Sequence, residues 1–332
     1  MFTLNVRNVN DAYETASRML DAPQHHGMFR ADSRNGPTWE MPSPVTTVYR
    51  TPEECVLWNG KRDCNPFFHF FESLWMLSGR DDVAYLDQFN SKMKQYSDDG
   101  VKFHGAYGYR WRNHFALEDQ FHPLVHALND PMTRRAVLGM WDPITDLLDP
   151  PQGAKDLPCN LSAVFSRRRK SDELDMTVFN RSNDIIFGAY GANAVHFSFL
   201  LQWVAAATDC KVGRYYQVSN NWHAYESVMA DKLGGSCIDY YKSGEAVTSV
   251  MVPLTENPWM FLQEVDAFVE GLVATPVSQF LKEVASPMRT AWNMWKLKER
   301  EAAFRVICSA QAQCPRNDWL KACELWMLRR LP

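Results

Sequence analysis

Runs of apolar residues alternate along this chain with polar segments that contain Gly and Pro. Apolar residues at helical spacing, or dense over a helical length, predict helices over residues 9–21, 65–78, 83–96 and 192–209. The second of these is apolar and aromatic apart from one acid, Glu72, and opens with Asn65-Pro66, so we expect a core helix that begins there. The third is more polar, which predicts a more solvated helix.

Shorter apolar runs bounded by turn residues predict strands over residues 135–142, 159–168, 174–182 and 213–221. Gly36-Pro37 predicts a loop, and the polar, Pro-containing segment 143–157 predicts a second loop that leads into Cys159. The end of the chain shows helical patterns rich in Trp, Met and Lys. Strands interspersed with helices indicate an α/β or an α+β fold over 1–255, followed by a helical C-terminal extension over 256–332.

The composition is that of an ordinary folded protein, with 46% hydrophobic and 22% charged residues among 332. The formal net charge of −4 gives the whole chain no attraction for nucleic acid or for an anionic membrane, so any anion site must come from a local group of arginines. No apolar run reaches the about 18 residues that a membrane span needs. The first residues lack the apolar core of a signal peptide, so we expect a cytosolic protein.

One cysteine stands at a position suited to chemistry. The chain has eight cysteines without a CxxC pair, which predicts reduced thiols rather than disulfides or a zinc site. Cys159, in LPCNL, lies where a loop meets a strand, and nearby arginines would lower the pKa of its thiol by favouring the thiolate. The alternative is a small buried hydrophobic residue, which is the ordinary role of a free cysteine.

Arginines on separate segments flank this cysteine. Arg134 and Arg135 follow a DPMT turn, Arg181 lies in FNRSND, and Arg34 lies in the loop that contains Gly and Pro. A guanidinium group matches two phosphate oxygens at once, and the hydroxyl of Ser182 would add a donor beside Arg181. Each arginine taken singly has an alternative role in a surface ion pair.

Between about residues 30 and 226, a set of segments resembles thymidylate synthase in the same order. They are FFESLWMLSGRDDVAYL with Glu72, GAYGYRWR with Tyr107, TRRAVLGMWD, LPCN, FNRSND, GANAVHFSFL and NNWHAY. No single motif is decisive, and the resemblance depends on all of them occurring in the same order. The resemblance implies an α+β fold like that of thymidylate synthase, with a mixed sheet packed with helices. It also implies an enzyme that adds a one-carbon unit to C5 of a pyrimidine nucleoside monophosphate, with 5,10-methylenetetrahydrofolate as cofactor.

The resemblance also implies a covalent mechanism. The thiolate of Cys159 would add to C6 of the base and turn C5 into an enolate-like nucleophile. Tyr107, or a water near it, would remove the C5 proton. Glu72 would organise water and proton transfer, and Asp184 would bind the pterin. The alternatives are a buried acid paired with an arginine for Glu72, and core packing for Tyr107.

The residues that the resemblance assigns to the nucleotide are Arg34, Arg134, Arg135, Arg181, Ser182, Asn193, His223 and Tyr225. The arginines and the serine would hold the 5′-phosphate, with Arg134 and Arg135 reaching across from a second subunit, which implies a homodimer with shared sites. His223 and Tyr225 would form hydrogen bonds with the sugar hydroxyl. The alternative for His223 is an ordinary buried histidine. His69 and His196 are expected to be structural.

Three features depart from a methyl-transferring synthase. Lys94 stands where the synthases carry a tryptophan against the folate, the chain ends in ELWMLRRLP without an apolar closing tail, and Asn160 replaces the histidine after the nucleophile. Easier access of water to an exocyclic methylene favours its capture as a hydroxymethyl group. We therefore expect a hydroxymethylase such as phages use to make modified DNA bases, acting in the host cytosol if a phage encodes it. A thymidylate synthase proper is the alternative.

Asn193 indicates which pyrimidine base the nucleotide substrate carries. Its amide offers a donor and an acceptor that match O4 and N3–H of uracil, whereas cytosine-specific relatives carry an aspartate, so we expect dUMP. AYGAN is one residue longer than usual, counted from RSND, which would displace Asn193 unless Gly188 and Gly191 permit an accommodating turn. Hydroxymethylation of dCMP and a degenerate nucleotide-binding module without activity are the remaining alternatives.

Overall fold

The computed structural model describes residues 1–115, 119–235, 238–273 and 275–331. Its strands are β1 (Phe2–Val6), β2 (Phe29–Ser33), β3 (Gly36–Glu40), β4 (Val45–Tyr49), β5 (Val137–Gly139), β6 (Asn160–Arg168), β7 (Glu173–Asn180), β8 (Asn183–Asp184), β9 (Lys211–Ser219) and β10 (Trp222–Tyr225). Its α-helices are α1 (Val9–Asp21), α2 (Pro66–Leu77), α3 (Val83–Asp87), α4 (Tyr107–Tyr109), α5 (Phe121–Leu128), α6 (Asn193–Ala207), α7 (Glu226–Lys232), α8 (Pro258–Val269), α9 (Ser286–Lys296), α10 (Arg300–Gln313) and α11 (Asp318–Leu328). Shorter 3₁₀ or π turns occupy Pro23–His26, Met93–Tyr96, Arg110–His114, Ile144–Leu148, Ile185–Ala192 and Leu281–Ala285. Strands and helices are interspersed, so the α+β prediction is confirmed.

The larger sheet has six strands in the order β1-β4-β9-β7-β6-β5 and mixes parallel with antiparallel pairs. Successive side chains of a strand point to opposite faces, so each cross-strand row belongs to one face. The row on the inner face is buried and consists of Tyr49, Tyr215, Met176 and Phe165. The adjacent row, on the outer face, is only partly buried and includes Tyr216, Thr177 and Val164.

The smaller sheet, in the order β2-β3-β10-β8, contains a hairpin where the sequence predicted a loop. The turn falls at Arg34 and Asn35, and Gly36 and Pro37 already belong to β3. Gly36 has a φ of 111°, a conformation that glycine adopts without strain and that lets the chain reverse sharply. The loop prediction was wrong because β3 pairs with both β2 and β10, and this pairing recruits two residues that usually mark a turn.

The predicted core helix is confirmed as α2. The side chain of Asn65 accepts hydrogen bonds from the N–H groups of Phe67 and Phe68, and Pro66 stands in the first turn, where its missing N–H costs nothing. Every residue of α2 is buried, because α6, α8 and α11 pack around it. The helices predicted over 9–21 and 192–209 are likewise confirmed, as α1 and α6.

Three segments differ from their predictions in extent. The helix predicted over 83–96 is split into α3 and the turn Met93–Tyr96, because the side chain of Asn90 accepts from the N–H of Lys92 and closes a turn between them. The strand predicted over 135–142 is limited to the three residues of β5. The loop predicted over 143–157 contains a π turn, in which Asp146 forms a buried ion pair with Arg110.

The end of the chain is helical, as predicted, and packs on the rest of the fold. The rings of Trp292 and Phe67 lie 5.1 Å apart, and those of Trp319 and Phe70 lie 5.2 Å apart. One hydrophobic cluster therefore runs through α2 and the C-terminal helices. The domain boundary near residue 255 stays a prediction. Among the described helices, none combines the length and apolar content needed to cross a bilayer.

Candidate active site

Cys159 lies directly before β6 in a partly buried position. Its N–H donates to Oη of Tyr107 over 3.2 Å, and its carbonyl accepts from the N–H of Arg181 over 2.9 Å. Burial raises the pKa of the Cys159 thiol, while the positive charges of Arg181 and Arg34 act in the opposite direction. The predicted lowering of this pKa is therefore wrong for the chain without nucleotide, because desolvation of the thiolate outweighs the two guanidinium groups.

Arg181 and Arg34 are the predicted phosphate-binding arginines that the structure places beside Cys159. Arg181, at the end of β7, donates from Nε and Nη2 to the carbonyls of the two residues before Cys159, over 2.8 and 3.0 Å. Arg34, in the turn between β2 and β3, donates to the carbonyls of Ala154 and Lys155 over 3.0 and 3.3 Å. Neutral carbonyls are weaker partners for a guanidinium than an anion, so both arginines can exchange these contacts for a phosphate.

Tyr107 stands between the nucleophile and α2. Its Oη accepts from the N–H groups of Cys159 and Asn160, over 3.2 and 3.4 Å. The next residue, Gly108, presses on α2 so closely that a Cβ would lie 2.0 Å from the carbonyl oxygen of Met76, so only glycine allows this approach. Burial, reinforced by Cys159, raises the pKa of Tyr107 far above its usual value. Tyr107 therefore remains a phenol at neutral pH.

Asn193 is the first residue of α6 and lies buried in a chain of amides. Its Oδ1 accepts from Nδ2 of Asn160 over 3.3 Å, and its Nδ2 donates to Oδ1 of Asn183 over 3.1 Å. Nδ2 of Asn183 donates in turn to the hydroxyl of Ser219 over 2.9 Å. Because each amide has distinct donor and acceptor ends, this chain fixes the orientation of the Asn193 amide.

Most of AYGAN, where the sequence predicts an extra residue, lies in the π turn Ile185–Ala192. A π turn holds one residue more than an α turn, so an insertion there leaves the following helix in place. A Cβ on Gly188 would lie 2.9 Å from Oδ1 of Asn183, and one on Gly191 would lie 3.1 Å from Nη2 of Arg62. A side chain at Gly188 would crowd the hydrogen-bonded amide of Asn183, whereas one at Gly191 would require only a small shift of the Arg62 side chain.

Asp184 and His223 lie side by side because β8 and β10 pair in parallel. The Asp184 carboxylate accepts from the backbone N–H two residues later over 3.0 Å. Burial raises the pKa of Asp184, and backbone hydrogen bonds and His223 oppose that change. Nδ1 of His223 lies 2.6 Å from Oδ1 of Asn221, and Oη of Tyr225 accepts from Nδ2 of Asn35 over 3.4 Å.

Glu72 lies in a buried cluster with two histidines. Its Oε2 accepts from Nε2 of His196 over 2.8 Å, and Nδ1 of His69, one turn earlier on α2, lies 3.9 Å from the same oxygen. Burial, together with Arg62 and His196, lowers the pKa of His69 well below its usual range, so this ring is neutral. The three residue types can ligate metals, and their ligand atoms lie within 4.8 Å of one another. The partner of Glu72 is thus a histidine rather than an arginine.

Comparison with known proteins places this site in a family. The family model described as thymidylate synthase matches residues 45–233, from the start of β4 to just beyond α7. The chain belongs to the thymidylate synthase family. The deoxyuridylate hydroxymethyltransferase of Pseudomonas phage M6 is 43% identical over 347 aligned residues, which cover 99% of this chain and 95% of the relative. Proteins with the same name from Bacillus phage SP01 and Delftia phage PhiW-14 are 38% and 33% identical over 55% and 51% of this chain, and the matches cover 49% and 48% of those relatives.

Four other residues were assigned to the site by the resemblance to the thymidylate synthase family: Arg134, Arg135, Lys94 and Ser182. Arg134 and Arg135 are exposed and precede β5, the edge strand of the large sheet. Lys94 is exposed in the turn Met93–Tyr96. Ser182 follows Arg181 directly and is partly exposed. The roles of these four residues, like those of the other predicted site residues, stay predictions.

The sequence patterns did not indicate two charged residues near this thymidylate synthase-like site. Arg62 is buried and donates from Nε to the carbonyl of Ile186 over 2.9 Å, with its guanidinium carbon 4.5 Å from the centroid of the Phe187 ring. Asp156 accepts from the N–H of Gly105 over 2.9 Å, and burial raises its pKa to about 7. The position of Asp156, three residues before Cys159, could have indicated that it lies near the site. Nothing in the sequence distinguishes Arg62 from a surface arginine.

Proposed function

We propose that this protein is an enzyme that transfers a one-carbon unit to C5 of dUMP as a hydroxymethyl group, with Cys159 as the nucleophile. The observation that carries the proposal is the convergence of two arginines on the Cys159 segment and, through Asn160, of the Asn193 amide. Guanidinium groups suit a phosphate, and a fixed amide suits uracil. The name of the relative from Pseudomonas phage M6, which matches over nearly the whole of both chains, supports this substrate and product.

The 5′-phosphate would take over the carbonyl contacts of Arg34 and Arg181. A doubly charged phosphate forms stronger hydrogen bonds with a guanidinium than a peptide carbonyl does, so the exchange is favourable. Ser182, next in sequence to Arg181, would add a hydroxyl donor. His223 and Tyr225, both on β10, would bond the sugar hydroxyl.

With the base held against Asn193, the Cys159 thiolate would add to C6, and the C5=C6 electron pair would move into the carbonyl at C4. The two arginines and the phosphate-binding geometry bring the thiol to the ring, which lowers the entropic cost of the addition. Tyr107, hydrogen-bonded to the N–H of Cys159, would orient the water that accepts the C5 proton. Glu72 would organise the water that later reaches the one-carbon unit.

5,10-Methylenetetrahydrofolate would supply the one-carbon unit at the oxidation level of formaldehyde. The residues around Asp184 fit a pterin: the Phe187 ring is exposed in the turn that Asp184 caps, next to the Arg62 guanidinium. A flat exposed ring beside a carboxylate acceptor suits a planar heterocycle whose amino groups donate hydrogen bonds. Asp184 would hold the pterin, and Lys94 would lie near the folate on the resemblance alone.

Two features favour a hydroxymethyl over a methyl product. The sequence has no tryptophan between Trp75 and Trp111, where the synthases carry the one that shields the folate. Near the C-terminus, Arg329 and Arg330 form ion pairs with Asp63, so this end of the chain is tied to the loop before α2. Water would therefore reach the exocyclic methylene and form the C–O bond of the product.

The mass of the nucleotide product tests this function. Incubation of dUMP with methylenetetrahydrofolate is expected to yield a nucleotide one oxygen atom heavier than dTMP, without the absorbance change of dihydrofolate formation. Formation of dTMP with dihydrofolate would instead identify a thymidylate synthase. Parallel reactions with dCMP test the base, and absence of tritium release from C5-labelled pyrimidine nucleotides would leave only a nucleotide-binding module.

A homodimer is part of the proposal. The outer face of the large sheet carries a cross-strand row of partly buried or exposed residues that includes Val218 and Phe179, next to the row of Tyr216 and Val164. An apolar sheet face is stabilised when a second copy covers it. Arg134 and Arg135, exposed before the edge strand β5, would then reach the phosphate of the partner's site.

Mixing two inactive variants tests the shared site. Cys159→Ala removes the nucleophile, and Arg135→Ala would remove a phosphate contact that the neighbouring subunit supplies. Random reassembly is expected to recover about a quarter of the wild-type activity, because half of the dimers contain one intact site. Sedimentation measures dimer formation. Cys159→Ala mixed with Arg181→Ala is the matched control, because both residues would belong to one site of the same subunit and no heterodimer would then contain an intact site. Recovery in the Arg135 mixture that does not exceed recovery in this control would contradict donation across the interface.

We also propose that 1–255 forms the catalytic domain and 256–332 a helical extension that braces it. The helices α8 and α11 pack on α2, which carries Glu72. The extension would thus hold α2 in place.

A further inference from the structure

The buried cluster of Glu72, His69 and His196 has a feature that packing does not explain. All three residues are buried: Glu72 is 7% exposed, His69 8% and His196 5%. The Nδ1 atoms of both histidines have no hydrogen-bond partner among the described residues. Unpartnered polar atoms cost free energy in a core, and apolar side chains of similar volume would avoid that cost. A purely structural role therefore does not account for both histidines.

The contact between Glu72 and His196 has the geometry of a hydrogen bond. The distance of 2.8 Å between Oε2 and Nε2 is typical of a charge-assisted bond. Two ligands of one tetrahedral zinc ion, each at about 2.0 Å from the metal, would stand roughly 3.3 Å apart. His69, at 3.9 Å from the same oxygen, is too distant for a hydrogen bond. Glu72 and His196 are thus joined by a hydrogen bond.

The two helices that carry this pair also carry residues of the nucleotide site. His196 follows Asn193 by three residues, so both lie on one face of α6, about 4.5 Å apart along its axis. Glu72 lies on α2, and the close approach of Gly108 to Met76 sets Tyr107 against the next turn of that helix. The Glu72–His196 pair therefore borders the site in which the base would be held.

We propose that His196 is a positioning residue that aligns the Glu72 carboxylate when water captures the exocyclic methylene, an inference that rests on the proposed hydroxymethylase function. The water oxygen bonds to the exocyclic carbon, and the π pair of that C=C bond moves to O4 as an enolate. One water proton goes to Glu72, which the hydrogen bond from His196 holds in place, and is later released to solvent. The enolate then re-forms the C5=C6 bond and expels the Cys159 thiolate from C6.

The chemistry of this step gives a readout that a structural role would not change. Water is a weak nucleophile and needs a base as its C–O bond forms, whereas a thiol such as 2-mercaptoethanol supplies a thiolate in solution. Without an aligned Glu72, capture by water is slowed and capture by the thiol is not. The steps before capture remain available, but over many turnovers slow capture limits the release of tritium from C5 unless a thiol takes the place of water.

His196→Phe removes the hydrogen bond and keeps the volume of the ring. We expect formation of hydroxymethyl-dUMP to fall on the order of 10²-fold. With 2-mercaptoethanol present, tritium release from C5-labelled dUMP is expected to return to within about threefold of the wild type, and the product to be a thioether at C5. Liquid chromatography with mass detection measures both products.

Conservative variants separate the hydrogen bond from the packing. The amide of His196→Gln reaches the position of Nε2, and that of His196→Asn stops one bond short, so we expect the Gln variant to form product about tenfold faster than the Asn variant. His69→Phe is the matched control, because it removes a buried histidine of the same cluster that makes no hydrogen bond to Glu72. Its product formation is expected to stay within about threefold of the wild type.

The outcomes discriminate between this inference and the function on which it rests. Equal rates for the Gln and Asn variants, or a loss in His69→Phe as large as in His196→Phe, would overturn the role of His196. So would a His196→Phe protein whose tritium release is not restored by the thiol. A wild-type protein that forms no hydroxymethyl-dUMP but does release tritium would overturn the product assignment instead.

Discussion

Cys159→Ala is expected to lower turnover of dUMP by at least about 10⁴-fold, because covalent activation of C5 is lost with the thiol. The fold should persist: Cys159 is only partly buried, and its two backbone hydrogen bonds, to Tyr107 and from Arg181, do not involve the side chain. Release of tritium from C5-labelled dUMP measures the chemical step. With a fluorine at C5, which cannot leave as a proton does, the wild type should accumulate a covalent adduct visible by mass.

Cys210→Ala is the matched control for this variant. Cys210 is also partly buried, directly precedes a strand, and points its Sγ at the carbonyl of the residue two positions earlier, as Cys159 does. It lies at the far end of the sheet, so we expect activity within about twofold of the wild type. An adduct in Cys159→Ala, or equal loss in both variants, would remove Cys159 as the nucleophile.

Asn193→Asp is expected to lower turnover of dUMP on the order of 10³-fold and to shift the selectivity towards dCMP. A carboxylate has no N–H for O4 of uracil, but it accepts from the 4-amino group of cytosine. The new carboxylate would also face Oδ1 of Asn183, which cannot turn away without losing the bond from its Nδ2 to Ser219. We therefore expect the dCMP-to-dUMP ratio of kcat/KM to rise even though the overall rate falls.

The matched control for base selectivity is the same substitution, Asn to Asp, at the start of another helix. Asn257 caps α8 with its Oδ1, which aspartate replaces without loss, so Asn257→Asp is expected to retain the selectivity and the rate of the wild type. Competition between dUMP and dCMP, followed by product mass, gives the ratio directly. An Asn193→Asp protein that still prefers dUMP would show that other groups read the base.

The parts of the fold that were predictable are those with strong local signals. The core helix α2 was predictable from Asn65-Pro66 and a dense apolar and aromatic segment, and β6 from the alternation of its residues after LPCN. The hairpin at Gly36 was missed because its second strand gains its pairing from β10, far along the chain. The segment 83–96 was predicted as one helix because the single turn that the side chain of Asn90 closes leaves little trace in the periodicity.

The sequence alone indicated the candidate reacting groups of this protein: a thiol, arginines for a phosphate and an amide for a base, on segments whose order resembles thymidylate synthase. Short segments and their order carry that resemblance, so the candidates can be named without a structure. Only the tertiary structure decided that Glu72 meets His196, 124 residues away, and that desolvation rather than the arginines dominates the pKa of Cys159. Burial and contacts between distant segments set both, and neither is written in any one stretch of sequence.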